Sequence, residues 1–487
     1  MPSDRPYLVE RPDALRRRWE GCPVSGLEPT RAPAWQLERW KVVRDLIVGW
    51  YGDPRPDTES VPDLIAERAG WLDPVQRLFV ERLFAGWRAM FPKEPGVVVD
   101  MDPPTSSVFD HDRAVELKVA ATFGFTRPDG SVERVRLKTG RHPSGRDDAA
   151  VIHAALTDDG GDVVYLDALV GVGVADEIVA PPEADRRLTE LVELAARNRR
   201  VARVAGPQCF SCSSAPRCGQ YPPTGRVYVS TRSLTVSKTQ LGWLATCRRR
   251  VAWDRLHQLR IEEDADIELS RGLAMGNLFH QTAAAAILSD DPEGVVVDAC
   301  ATVAPSEAAE LRRLWENHCS LWGSDRLEAR ATEYSAGLTV MAPGPQYDAR
   351  GRKSVQPVAI TMIGVLDVTG RESDGTPMVV EHRTGSAPDH GHLELDLYAV
   401  SVAEAVKRRS GEWPAKLAVH LHLLGPSQPE CRRTEFDHAR LQESFAGLER
   451  AAAEIARWDP HNSLDPGFSV GQWCGGCRHR PLCEQFR

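Results

Sequence analysis

A chain of 487 residues with 42% hydrophobic and 26% charged content is long enough for two or three domains with full cores, and it excludes a disordered or fibrous protein. A net charge of -9 excludes a wholly basic nucleic-acid binder, so contact with phosphates would need local runs such as Arg248, Arg249 and Arg250 or Lys407, Arg408 and Arg409. No apolar run is long enough to span a membrane and the opening MPSDRPYLVERPD is polar, so a cytoplasmic protein without membrane association is expected, whose eleven cysteines serve metal or cluster ligation more than disulfides.

Residues 1 to about 95 read as mostly helical, with apolar positions at helical spacing in LERWKVVRDLIVGWYG and PVQRLFVERLFAGWRAMF. From Glu116 the period changes. ELKVAATFGF, a turn at Arg127-Pro128-Asp129-Gly130 and VERVRLKTG predict a hairpin. DDAAVIHAALT then reads as a helix, DVVYLDALVGVGV as a strand, and RRLTELVELAARNRRVARV as a helix running into GPQCFSCSSAPRC. The proline- and glycine-rich GQYPPTGRVYVS places a boundary at about residue 222.

Beyond it, SLTVSKTQLGWLATCRRRVAWDRLH reads as a helix carrying Cys247, RGLAMGNLFHQTAAAAIL as one carrying His280, and LRRLWENHCSLW as a third. AITMIGVLDV and MVVEH are β-branched runs joined by Ser373-Asp374-Gly375, the composition of a hairpin turn. Alternation puts Glu381 and Arg383 on one face of the second strand, within reach of Asp367 on the first. Two hard carboxylates and a cation suit Mg²⁺ or Mn²⁺ and phosphodiester hydrolysis; an exposed hairpin with ordinary surface charges is the bland alternative. HLELDLYAVSVAEAVKRR and ARLQESFAGLERAAAEIARW read as helices, with LAVHLHLLG a strand between them.

The chain also repeats itself. Thr122 to Gly140 and Asp367 to Gly385 are equal in length, share Asp-Gly at the turn and end in Thr-Gly. Thr122, Arg136 and Lys138 stand where the second copy has Asp367, Glu381 and Arg383, so the first copy lacks the acids to hold a divalent cation. Cys209, Cys212 and Cys218 share the spacing of Cys474, Cys477 and Cys483, and each trio has one distant upstream cysteine, Cys22 or Cys247. Such quartets suit zinc or an iron–sulfur cluster, which spacing does not separate. Cys300, Cys319 and Cys431 read as free buried thiols.

The order of motifs in residues 231 to 487 resembles the PD-(D/E)xK nuclease superfamily, in the RecB-like branch that includes the CRISPR-associated exonucleases and AddB-type nuclease domains. The resemblance is carried by SKTQLGWLATCRRR, by Gly276 to His280, by Gly364 to Asp367, by EHRTG, by the helix with Tyr398, and by the closing cysteines. It implies an α/β fold of two tandem restriction-endonuclease-like domains, each a mixed central sheet flanked by helices and closed by a cysteine-ligated metal cluster. Residues 1–222 would be a degenerate copy and 223–487 the nuclease domain. It further implies a Mg²⁺ or Mn²⁺ site of His280, Asp367 and Glu381, with Arg383 and Tyr398 completing the catalytic set. A [4Fe–4S] cluster would sit on Cys247, Cys474, Cys477 and Cys483, and a second cluster on Cys22, Cys209, Cys212 and Cys218, with zinc as the alternative. Two positions depart from the family: Arg383 replaces its lysine and Glu394 its helix glutamine. Arginine stabilises charge but does not take a proton from water.

The expectation is a metal-dependent DNase, an exonuclease on single strands or ends, working with partner proteins in repair, recombination or defence against foreign DNA. The competing expectation is a catalytically inactive nucleic-acid-binding or scaffold protein of the same fold.

Overall fold

Apolar residues at helical spacing before residue 91 form three helices, α1 (Ala34–Gly52), α2 (Asp57–Ala69) and α3 (Pro74–Met90). Their buried faces meet in a core of Leu46, Ile47, Trp50, Phe79, Phe84 and Trp87. Asp73 starts α3 by accepting from the amides of Val75 and Gln76, and the proline at the next position supplies a preset φ where no amide partner is lost. The computed structural model describes residues 8–10, 34–102, 106–110, 115–119, 122–130, 132–135, 164–166, 173–175, 232–259, 267–325, 327–347, 352–385, 393–425, 428–474 and 479–484, with isolated residues between. The expected helices at DDAAVIHAALT and in most of RRLTELVELAARNRRVARV lie outside the described residues, as do Cys22, Cys209, Cys212 and Cys218.

These helices belong to the first of two units, made of residues 1–204, 252–262 and 459–487; the second comprises 205–251 and 263–458. In the first, β1 (Leu8–Glu10) pairs in parallel with β4 (Val115–Val119), which pairs with β3 (Ser106–Asp110). A separate sheet joins β2 (Val98–Asp100), β5 (Phe123–Thr126) and β6 (Val132–Val135). The expected strand ELKVAATFGF is therefore two strands in different sheets. The break falls where Thr122 opens a new ladder, donating its amide to the Val135 carbonyl and accepting the Leu137 amide on its hydroxyl. The expected strand DVVYLDALVGVGV is likewise a pair, β7 (Val164–Leu166) and β8 (Gly173–Ala175), antiparallel to each other.

The second unit is built on a six-stranded mixed sheet. Its first strand, β9 (Arg232–Ser237), corrects the expected helix from Ser233 onward: Leu234 and Val236 are buried at period two, and helix begins only after Ser237. Ser237 and Gln240 form a reciprocal capping box that starts α4 (Lys238–Thr246). Cys247 ends that helix in extended backbone, and α5 (Arg248–Arg255) follows. Three further helices, α6 (Ile267–Ile287), α7 (Pro292–Ala301) and α8 (Pro305–Asp325), share a core around Phe279, Leu311, Leu314 and Trp315.

Two long antiparallel strands come next, β10 (Glu328–Tyr347) and β11 (Lys353–Arg371), then β12 (Pro377–Arg383). Gly375, at φ 86°, makes the turn expected at Ser373-Asp374-Gly375. The first part of β11 pairs in parallel with β9 and its end pairs antiparallel with β12. After α9 (Leu393–Ser410), β13 (Lys416–Leu423) adds in parallel to β12, and β14 (Glu430–Asp437) closes the sheet. α9 packs on the sheet through Tyr398, Ala399, Val402 and Ala403, and α10 (His438–Arg457) follows β14. No described helix is long and apolar enough to cross a membrane.

Candidate active site

The ladder between β11 and β12 ends at Val368 opposite Val380, so Asp367 and Glu381 are the next facing pair, at the point where the strands part. The His382 amide, which would otherwise have lost its partner there, donates to Asp367 Oδ2 at 2.6 Å. Asp367 Oδ1 faces His280 Nδ1 at 3.3 Å from α6. The helix comes this close because Gly276 carries no side chain: a Cβ there would stand 3.1 Å from Thr384 Oγ1. His280, Asp367 and His382 offer ligand atoms within 4.8 Å of one another.

Glu381 is almost fully buried and its two oxygens differ. Oε1 accepts from Lys238 Nζ at 2.7 Å and lies 3.4 Å from Arg383 Nη2, while Oε2 has no hydrogen-bond partner among the described residues. Burial, with the Asp367 charge second, pushes the Glu381 carboxyl up to about 7. For Asp367 burial acts in the same upward direction, but the hydrogen bond from His280 and the charge of Lys238 outweigh it and hold the carboxyl below its ordinary range.

Lys238 is the residue that sequence reasoning passed over. The capping box that starts α4 sets it beside the centre of β11, where Nζ also donates to the Val365 carbonyl at 3.1 Å and lies over the Tyr398 ring. Burial alone would lower its pKa, yet Glu381 and Asp367 raise it, so the amine is a cation. The only local signal was a lysine directly after a strand and a Ser-x-x-Gln cap. Arg383 reaches across to Glu394 Oε1 at 2.6 Å, and Tyr398 donates to the same oxygen at 3.2 Å. Thus Asp367, Glu381, His280, Arg383 and Tyr398 are brought together, with Lys238, His382 and Glu394 added. Glu333 also belongs here: the pairing of Thr332 with Val368 and Tyr334 with Leu366 sets it opposite Asp367, in left-handed backbone at φ 49°. Partial burial and the Asp367 charge raise its pKa.

Other expected features are placed differently. Arg249 is buried, Arg248 is paired with Glu454, and Arg250 lies 3.6 Å over the Trp243 ring, so that run is not an open phosphate-binding patch. Lys407, Arg408 and Arg409 occupy the last turn of α9, where cations offset the exposed carbonyls. Cys300 is buried, but Cys319 is exposed and Cys431 half-buried, which corrects the expectation of three buried thiols. Cys247, Cys474, Cys477 and Cys483 are half-buried; the last three follow successive tight turns into α11 (Arg480–Cys483).

A mixed sheet flanked by helices, with paired acids where two central strands part, is the arrangement of a nuclease fold. The family model for the PD-(D/E)XK nuclease superfamily matches residues 235–484, half of the chain, and the chain belongs to that superfamily. The crystal structure of SSO0001 matches at 15% identity over 53% of this chain and 89% of its own, with a TM-score of 0.24. A crystal structure named for an exonuclease from Eubacterium rectale matches at 12% identity over 50% of this chain and 86% of its own, with a TM-score of 0.29. Both likenesses are too distant to carry an argument. No curated protein matches the chain.

Proposed function

We propose that residues 223–487 form a metal-dependent DNA nuclease domain of the RecB-like type, acting on single strands or ends in repair, recombination or defence. The observation that carries this reading is the unclaimed Oε2 of Glu381, a buried carboxylate oxygen beside Asp367 and two cations. A hard divalent ion answers that vacancy in hydrogen bonding, so the donor set fits Mg²⁺ or Mn²⁺ held by Asp367, Glu381 and His280. When bound, the ion supplies Lewis acidity toward a phosphate oxygen and a more acidic water.

The chain's own residues do the rest. Lys238 supplies the amine that Arg383 cannot be, fixing Glu381 through Oε1 and placing a positive charge where a phosphate would gain negative charge. Arg383, tethered to Glu394, is a second cation for the substrate backbone. Tyr398 lies under Lys238 and keeps water from that side of the amine.

The expected [4Fe–4S] cluster on Cys247, Cys474, Cys477 and Cys483 is part of the same reading, supported by the spacing of the closing cysteines and the successive tight turns that carry them. Residues 1–222 are read as a degenerate copy, supported by the β5–β6 hairpin, whose Gly130 has φ 83° against 86° for Gly375. End-labelled single- and double-stranded DNA incubated with Mg²⁺ or Mn²⁺ tests the activity. Cleavage that vanishes in Asp367→Asn and Glu381→Gln supports it. Binding without cleavage under every metal condition would replace it with the non-catalytic reading.

A further inference from the structure

On the sheet face away from Glu381, three histidines from three different elements meet: His318 from α8, His382 from β12 and His422 from β13. All three are buried, at 2%, 2% and 0% exposure, and their ligand nitrogens lie within 4.8 Å of one another. His382 and His422 are directly paired in the parallel ladder, with ring centroids 5.8 Å apart, and His318 stands 4.9 Å from the first and 6.3 Å from the second. Three imidazoles around one tetrahedral ion, each nitrogen about 2.0 Å from it, have centroids roughly 5 Å apart. The observed spacing is close to that.

Packing alone does not account for the trio. His318 stacks on Trp315 at 5.0 Å and 28°, and His382 meets Phe279 edge-on, but stacking uses ring faces and leaves nitrogens to be satisfied. Among the described residues, Nδ1 of His318 and Nε2 of His382 have no hydrogen-bond partner, and Nδ1 of His382 meets only Asp367 Oδ2, at 3.6 Å. Buried polar atoms in folded proteins are nearly always paired, and an ion is one of the few things that answers several such nitrogens at once.

We propose that His318, His382 and His422 hold a buried zinc ion, distinct from the nuclease metal and independent of whether the chain cleaves DNA. An all-imidazole donor set selects zinc or a similar transition metal over Mg²⁺, and the fourth position is left to water. The ion would tie α8 to β12 and β13, and so would brace the strand whose neighbouring residues, Glu381 and Arg383, face the opposite side.

The test uses the full chain, stripped with chelator and titrated with zinc in excess Mg²⁺, alongside Co²⁺ loading followed by visible spectroscopy. One zinc equivalent per chain, a raised melting temperature and Co²⁺ bands are expected in wild type and in Asp367→Asn. They are expected to disappear in His318→Phe and His422→Phe, which keep aromatic packing but remove the nitrogens. Zinc uptake that is absent in wild type, or unchanged in both phenylalanine variants, overturns the proposal. Should those variants fail to fold, X-ray absorption of the zinc-loaded wild type decides: a shell rich in imidazole supports the site, and one without imidazole or dominated by sulfur refutes it.

Discussion

Lys238 and Glu381, 143 residues apart in sequence, share a 2.7 Å hydrogen bond within the second unit. The amine that Arg383 does not provide two residues after the acid thus comes from the start of a helix. Lys238→Met is expected to lower single-turnover cleavage by about 10²–10³-fold at saturating metal, the size of effect typical of losing one preorganised charge. Arg383→Lys is expected to stay near wild type. A Lys238→Met rate equal to wild type, beside an inactive Glu381→Gln, would leave Lys238 a purely structural role.

Arg383 is held by Glu394 at 2.6 Å, and the acid adds negative charge where a DNA backbone would approach. Glu394→Gln should release the guanidinium and tighten DNA binding by up to about fivefold at low salt, the size of one partly screened charge. Filter binding across a salt series checks it, since the gain should shrink as salt rises.

Tyr398 is fully buried and its hydroxyl donates to Glu394. Tyr398→Phe keeps the ring under Lys238 and removes only that bond, so stability should fall by about 1 kcal/mol. Urea unfolding measures this, with cleavage by the variant expected to persist.

In the first unit, Asp73 caps α3 and also takes the Ser463 hydroxyl at 2.5 Å, while Trp253 Nε1 donates to the Ser463 carbonyl. Asp73→Ala removes the cap and the tie together and should cost about 2 kcal/mol. Ser463→Ala, which keeps the cap, should cost less in the same thermal melts.

Glu372 accepts from Arg433 at 2.7 and 2.9 Å and contacts His420 at 2.8 Å. The Arg433 hydrogen bonds, less the opposing effect of burial and aided by His420, hold its carboxyl below the ordinary glutamate range. The folded value lies under the unfolded one, so this stabilisation is whole above the unfolded pKa and is lost as pH falls through the folded one. Wild type should therefore lose stability more steeply than Glu372→Gln on acidification below about pH 4.3; parallel curves would show the clamp to be inert.

The β11–β12 hairpin was legible because its apolar runs are β-branched and Ser373-Asp374-Gly375 can only be a turn. β10 was not, since Pro343, Gly344 and Pro345 punctuate it as a loop would. It tolerates them at the edge of the sheet, where one side needs no ladder partner. Asp367 and Glu381 could be paired from local alternation, but nothing local shows that Lys238 ends beside them. The histidines of HLHLL look like ordinary strand residues until His318 arrives from a helix more than a hundred residues earlier.

Asp367 does two jobs, since its carboxylate stands in for the rung that the departing strand leaves empty at the His382 amide. An aspartate there would be kept for the sake of the backbone even in a descendant that had given up hydrolysis, so its presence is a poor witness to turnover. Glu381, half of whose carboxylate bonds to none of the described residues, is the position whose loss or retention tells ancestry from use.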